Sequence, residues 1–240
     1  MFGSIFAIFM MMNDDDQLKI SKLIFIIPIV YVISIWFIYW VEITFSFNFN
    51  KFGVFPRTLF GFRGVFLMHF IHSDTGHLFN NSIPLFVLLS SLFYFYKDVA
   101  YKVLLFGGFF TGLLTWVIAR ESYHIGASGI VYLLFSFVFF SGIIKKHFRL
   151  VALSLIIIFL YGSMIWYVLP IKEGMSWEGH LSGFLTGFIF AIIYRNKGII
   201  KKEHHFSNTD FDLLFDDHGN FSPPKITEEI NEKIDNKESE

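Results

Sequence analysis

The sequence predicts an all-α, polytopic membrane protein, a bundle of six membrane-spanning helices, on three observations. Hydrophobic residues make up 54% of the 240 and charged residues 16%, against about 25% charged in an ordinary soluble domain. Mean hydropathy is +0.56 and phenylalanine alone supplies 34 residues, more apolar surface than a soluble chain of this size could cover. The apolar residues also fall into six runs close to the roughly 20 residues a bilayer-crossing helix needs. Cysteine is absent, which excludes disulfide scaffolds, thiolate metal sites and a cysteine nucleophile together. The net charge of -1, with no basic cluster beyond the flanks of the apolar runs, gives no footprint for nucleic acid.

Taken in order, residues 1–21 form a short lead. Its apolar start has no basic region before it and is too short to span, and Asp14, Asp15 and Asp16 end it, so it reads as an interfacial, cytoplasmic segment. The six spans are expected at 23–45, 78–96, 103–119, 128–144, 150–168 and 179–194. The first is nearly all apolar, whereas the later ones carry glycine, serine and histidine, which suggests faces packed against other helices. The connection over 46–76 contains Gly53, Pro56, Gly61 and Gly64, and a loop of that length within a bundle is expected to be functional or partly embedded. Residues 22–198 thus form one membrane domain. Residues 199–240 read as a polar cytoplasmic tail, expected to be disordered apart from one short amphipathic helix after Ile226. The tail shows no catalytic pattern, and its partner is left open.

Lysine and arginine beside the spans set the expected orientation. Lys19, Lys22, Lys97, Lys102, Lys145, Lys146, Arg149, Arg195, Lys197, Lys201 and Lys202 collect on one side, eleven against the five of Lys51, Arg57, Arg63, Arg120 and Lys172 on the other. Both termini are therefore expected in the cytoplasm. The starts of the fourth and sixth spans are expected to face outward.

Polar residues inside spans are costly and point to function by default. His77 and Asn81 lie four apart, on one helical face near the outer end of the second span. Alone, the pair reads better as polar residues capping or anchoring the helix; His69, His72 and His77 could gather around a metal, a minor option because the spacing of a metalloprotease is absent. Gly126-Ala127-Ser128-Gly129 opens the fourth span, with glycines that permit a sharp turn beside the serine; alone it reads as close helix packing. Tyr132 shares the face of Ser128. His180 begins a smooth stripe with Gly183 and Gly187, suited to close approach by another helix. Charge counting puts His77, Asn81, Ser128 and His180 on one side of the membrane without using any motif. Together they offer a hydroxyl, a base to take its proton, and donors for a developing oxyanion.

At these residues the chain resembles the rhomboid intramembrane serine proteases. The likeness runs through His72-x4-His77-x3-Asn81, Gly126-Ala-Ser128-Gly129 with Tyr132, and His180-x2-Gly183-x3-Gly187, and covers about 56–195. The resemblance implies a six-helix core with Ser128 as nucleophile and His180 as general base. It further implies an oxyanion hole from the Ser128 N–H, His77 and Asn81, with Tyr132 stacked on His180. Gly126 would shape the turn into the fourth helix, and Gly183 would let the fourth and sixth helices touch. The implied activity is endoproteolysis of transmembrane segments of other membrane proteins near the outer leaflet, through an acyl-enzyme, with no cofactor and no metal. The implied partners are the lipid bilayer and those transmembrane substrates, in a bacterial inner cell membrane. Where many rhomboids carry Trp-Arg in the first loop, this chain has Phe62-Arg63. Glu178, two residues before His180, is expected to be a solvated interfacial carboxylate. Two alternatives remain: a catalytically inactive rhomboid-like protein that binds membrane clients, and a small channel or transporter.

Overall fold

The computed structural model describes residues 21–161, 166–171, 174–198, 214–215 and 218–221. The chain divides into two units, 1–201 and 202–240. In the second, Phe215 and Phe221 form an isolated antiparallel bridge with their rings 5.7 Å apart. Residues 1–20 of the expected lead, most of the tail and its expected helix after Ile226 lie outside the described residues.

The first unit is a polytopic helical bundle. Among its described residues the long helices are α1 (Leu23–Thr44), α2 (Thr75–Phe95), α3 (Ala100–Ile118), α4 (Ser128–Ile144), α5 (Phe148–Tyr161) and α6 (Trp177–Ile193). The fourth expected span coincides with α4. The others shift by one to three residues at most ends, for local reasons. The second begins at Thr75 because Asp74 caps it, its carboxylate accepting the His77 N–H at 2.7 Å and replacing a missing helical partner. α5 is described as far as Tyr161, and after residues 162–165, which lie outside the described residues, Trp166–Val168 form a 3-10 turn.

α1 presents an almost wholly apolar surface outward, with Ile33, Phe37 and Ile43 exposed, as a lipid-facing helix should. Trp36 Nε1 donates to Ser82 Oγ at 2.9 Å and Tyr39 meets Thr75 at 3.1 Å, holding it on α2. α4 is the opposite case, buried along most of its length. At 17 residues, α4 and α6 are each about 26 Å long at 1.5 Å per residue, shorter than the roughly 30 Å hydrocarbon core. The segments leading into their N-termini must therefore be folded against the protein.

Three glycines let backbones meet around α4 and α6. A Cβ on Gly183 would collide with the Gly129 carbonyl, one on Gly187 with the Leu133 carbonyl, and one on Gly142 would press on Leu150 and Val151 of α5. Ser136 Oγ adds a hydrogen bond to the Phe184 carbonyl at 2.6 Å. The long first loop packs against the bundle. It folds into a 3-10 turn (Phe49–Phe52), two single helical turns (Leu59–Phe62 and Gly64–Leu67) and a second 3-10 turn (Met68–Phe70). Val54, Val65 and Met68 form its core against Phe109, Leu113 and Trp116 of α3. At the Phe62-Arg63 variation, Phe62 packs edge-on to Trp116, and the Arg63 guanidinium lies 3.5 Å over the Phe60 ring while donating to the Lys51 carbonyl. The loop is thus packed through a phenylalanine and a stacked arginine.

Candidate functional site

The α4–α6 seam brings the two expected reactive side chains together. Ser128 is the first residue of α4 and His180 the fourth of α6, and Ser128 Oγ lies 2.9 Å from His180 Nε2. The direction of this hydrogen bond follows from the other ring nitrogen. His180 Nδ1 is 2.7 Å from the Tyr167 carbonyl, which can only accept, so Nδ1 carries the proton. The neutral ring then leaves Nε2 bare to accept the serine O–H. Tyr132 stacks on the imidazole with ring centroids 4.4 Å apart and planes 19° apart. His180 is 6% exposed and Ser128 half-buried, so the pair lies inside the bundle with the hydroxyl still approachable.

The backbone before Ser128 turns at Gly126, whose φ of +118° is rarely open to a residue with a side chain. Its N–H donates to the Met68 carbonyl at 2.8 Å, and the next N–H, of Ala127, reaches His72 Nε2 at 3.3 Å. A Cβ on Gly126 would sit 2.9 Å from His77 Nε2 and 3.5 Å from Ser128 Oγ. The histidine and the serine therefore flank one small space that this glycine keeps open. His77 is oriented through Nδ1, 3.2 Å from Ser73 Oγ. Asn81, one turn along α2, is 6% exposed, and among the described residues none accepts a hydrogen bond from its Nδ2. A buried donor left unmade costs about 1–3 kcal/mol, so an unused amide here is a group in want of an acceptor. The Ser128 N–H belongs to the first helical turn, where no i−4 carbonyl exists to take it.

The histidines do not gather around a metal. His69 Nε2 bonds the Gly108 carbonyl at 3.0 Å, while His72 serves the Ala127 N–H and lies edge-on to His77, 5.1 Å between rings. No cluster of three metal-binding side chains occurs among the described residues.

Glu178 corrects an expectation. Instead of a solvated carboxylate it is 2% exposed, and Arg120 Nη1 donates to both its oxygens at 2.8 and 2.9 Å. Beside it, His124 Nε2 donates to the Arg120 carbonyl at 3.0 Å and Nδ1 accepts from Ser176 Oγ at 2.7 Å. Burial holds the His124 ring below the ordinary histidine pKa, in its neutral form. Sequence reasoning took Arg120 as a loop charge and passed over His124 and Ser176. Arg120 and Glu178, like His124 and Ser176, are more than fifty positions apart, and no local spacing links the two sides.

A family model, the rhomboid domain, matches residues 60–197, which takes in all these residues. The chain belongs to the rhomboid family. This rhomboid is also 30% identical over 155 residues to uncharacterized proteins of Mycobacterium tuberculosis and Mycobacterium bovis, covering 59% of this chain. A Mycobacterium leprae relative, likewise named as uncharacterized, is 29% identical over 145 residues, 54% of this chain. The rhomboid spans 62% of the length of the first two relatives and 55% of the third. Membership makes it an integral membrane protein whose family acts on transmembrane segments in the bilayer and includes both intramembrane serine proteases and inactive members.

Proposed function

We propose that this rhomboid is an active intramembrane serine endopeptidase, cutting transmembrane segments of other membrane proteins near the outer leaflet. The observation that carries the reading is the 2.9 Å hydrogen bond from Ser128 Oγ to a His180 ring whose tautomer the Tyr167 carbonyl fixes. That is an activated nucleophile with a base and an orienting group.

Ser128 Oγ attacks the scissile carbonyl while its proton passes to His180 Nε2. The tetrahedral oxyanion forms beside Gly126, where the Ser128 N–H and the Asn81 amide are the donors proposed for it, with the His77 ring a third once Nε2 carries a proton. His180 returns the proton to the leaving amine, and the first product departs. Water then repeats the sequence on the acyl-enzyme with the same base. A peptide bond within a helix hides its carbonyl in the i→i−4 ladder, so the substrate must unwind locally before attack. Small or helix-breaking residues near the scissile bond favour cleavage for that reason. The basic-residue count supports cytoplasmic termini, which puts the serine toward the outer face, as in a bacterial inner membrane.

The test uses the purified chain with a transmembrane substrate in detergent. Ser128→Ala and His180→Ala should each abolish cleavage, because a nucleophile and its base act as one unit, while both variants insert and keep the wild-type melting profile. Near-normal turnover by either would overturn the assignment. An unsubstituted chain that binds substrate but never cuts it would mark an inactive family member, and solute flux surviving loss of Ser128 would mark a channel or transporter.

A further inference from the structure

Ser128 and His180 stand on different helices, and a 2.9 Å hydrogen bond leaves little tolerance for relative movement of α4 and α6. Below the dyad the glycine seam fixes the separation. Beyond it, the chain entering α4 and the chain entering α6 are free to part unless something joins them. The two approaches are the α3–α4 connection, from Ala119 to Ala127, and the described residues 174–176 before α6.

One carboxylate joins them. Glu178 lies in the first turn of α6, two residues before His180, and receives both Nη1 contacts of Arg120 and, at 3.3 Å, the Arg120 backbone N–H. Arg120 Nη2 continues to the Met175 carbonyl at 2.7 Å. His124 then ties the Arg120 carbonyl to Ser176 Oγ, and its backbone pairs with Val54 of the first loop. Ser176 therefore does not cap α6 with its side chain. The start of that helix is instead held from across the bundle. The pair is asymmetric: Glu178 is 2% exposed, whereas the Arg120 side chain is 44% exposed. A solvent-exposed ion pair would hold little. Here the carboxylate is sequestered and the cation reaches it from the open side.

We propose that Arg120 and Glu178 are positioning residues, a clamp that holds the first turn of α6 against the α3–α4 connection and so keeps His180 within hydrogen-bond reach of Ser128. This rests on the reading of Ser128 and His180 as nucleophile and base. Neither clamp residue touches the reacting atoms. Their effect is on the fraction of time the dyad is assembled, which lowers the rate of attack without altering substrate affinity.

The experiment follows the rate at which a fluorophosphonate probe labels the full chain in detergent, alongside kcat and KM on a transmembrane substrate, below each variant's unfolding midpoint. Arg120→Ala and Glu178→Gln should each slow labelling and kcat by about 10²-fold, the loss expected of a 1 Å misplacement, with KM unchanged. Arg120→Lys, which keeps the charge but cannot grip both oxygens and the Met175 carbonyl together, should fall between. Because the arginine side is open to solvent, guanidinium ion should restore labelling in Arg120→Ala and fail to do so in the Arg120→Ala/Glu178→Gln double variant. If Arg120→Ala does not fold, Arg120→Lys and Glu178→Gln carry the comparison. Wild-type labelling by a folded variant would overturn the clamp, as would a loss that only follows the unfolded fraction. If the unsubstituted chain labels no faster than Ser128→Ala, the dyad reading itself fails and the clamp with it.

Discussion

Gly183→Ala tests the α4–α6 seam most directly. The added methyl would fall on the Gly129 carbonyl oxygen, with the Gly129 carbonyl carbon and the Leu133 nitrogen both at 3.1 Å. All three are backbone atoms, so no rotamer change relieves the contact and the helices themselves must separate. Gly129 follows Ser128 directly, and Gly183 lies one turn after His180, so the separation acts where the dyad bridges the seam. Overpacking of this kind costs about 1–3 kcal/mol of stability, and a displacement of about 1 Å at the dyad costs about 10²-fold in turnover. Gly112→Ala is the matched control: its methyl would strike the Val65 backbone instead of α4. Steady-state kinetics and melting curves on both variants decide. Gly183→Ala should lose kcat far beyond its loss of stability, with KM nearly unchanged, while Gly112→Ala loses stability and keeps its turnover. Wild-type turnover in Gly183→Ala, or equal kinetic losses in the two, would refute the claim that this seam sets the dyad distance.

Three further outcomes follow from other residues. Asn81→Ala should lower kcat by about 10²–10³-fold, the loss seen when one oxyanion donor is removed, while Asn80→Ala, on the exposed face of the same helix, does much less; equal effects, or an effect on KM alone, would take Asn81 out of the oxyanion hole. A reporter fused after Lys202 should read cytoplasmic and a tag within 170–175 external, and the reverse would put the serine on the wrong face. Asp74 is held below the ordinary carboxylate pKa, chiefly by the His77 N–H it accepts, so its contribution is complete above about pH 4 and lost as acid protonates it. Asp74→Ala should cost about 0.5–2 kcal/mol at neutral pH and flatten that part of the acid-unfolding profile, and an unchanged profile would refute the cap.

The sequence made the bundle legible because hydropathy acts over about twenty residues at a time and needs no knowledge of neighbours. It placed α4 to the residue, since glycine precedes its first turn and charge follows its last. It missed the early start of α2, where one capping aspartate outweighs Thr75, Gly76 and His77, none of them apolar helix formers. His77 and Asn81, or His180 with Gly183 and Gly187, were legible as shared faces because i, i+3 and i+4 spacing is local. Glu178 was misread for the complementary reason. A carboxylate beside a tryptophan at a helix start looks solvated until its partner is known, and Arg120 lies 58 positions away.

The same contrast bears on how the polar cluster around Ser128 is accommodated within a membrane protein. Ser128, His72, His77, His180 and Asn81, buried or half-buried among the helices, would each be costly without partners. Nearly every one has a fixed acceptor or donor: Tyr167 for His180, Ser73 for His77, Ala127 for His72 and His180 for Ser128. The His77–Ser73 contact spans four positions and is local, whereas the other three join partners 13 to 55 positions apart and form only as the elements pack together. Asn81 Nδ2 has no acceptor among the described residues, and Nδ1 of His69 and of His72 likewise has no hydrogen-bond partner there. On the proposed reading the Asn81 amide takes the oxyanion as its acceptor, and the kinetics of Asn81→Ala against Asn80→Ala decide whether it does.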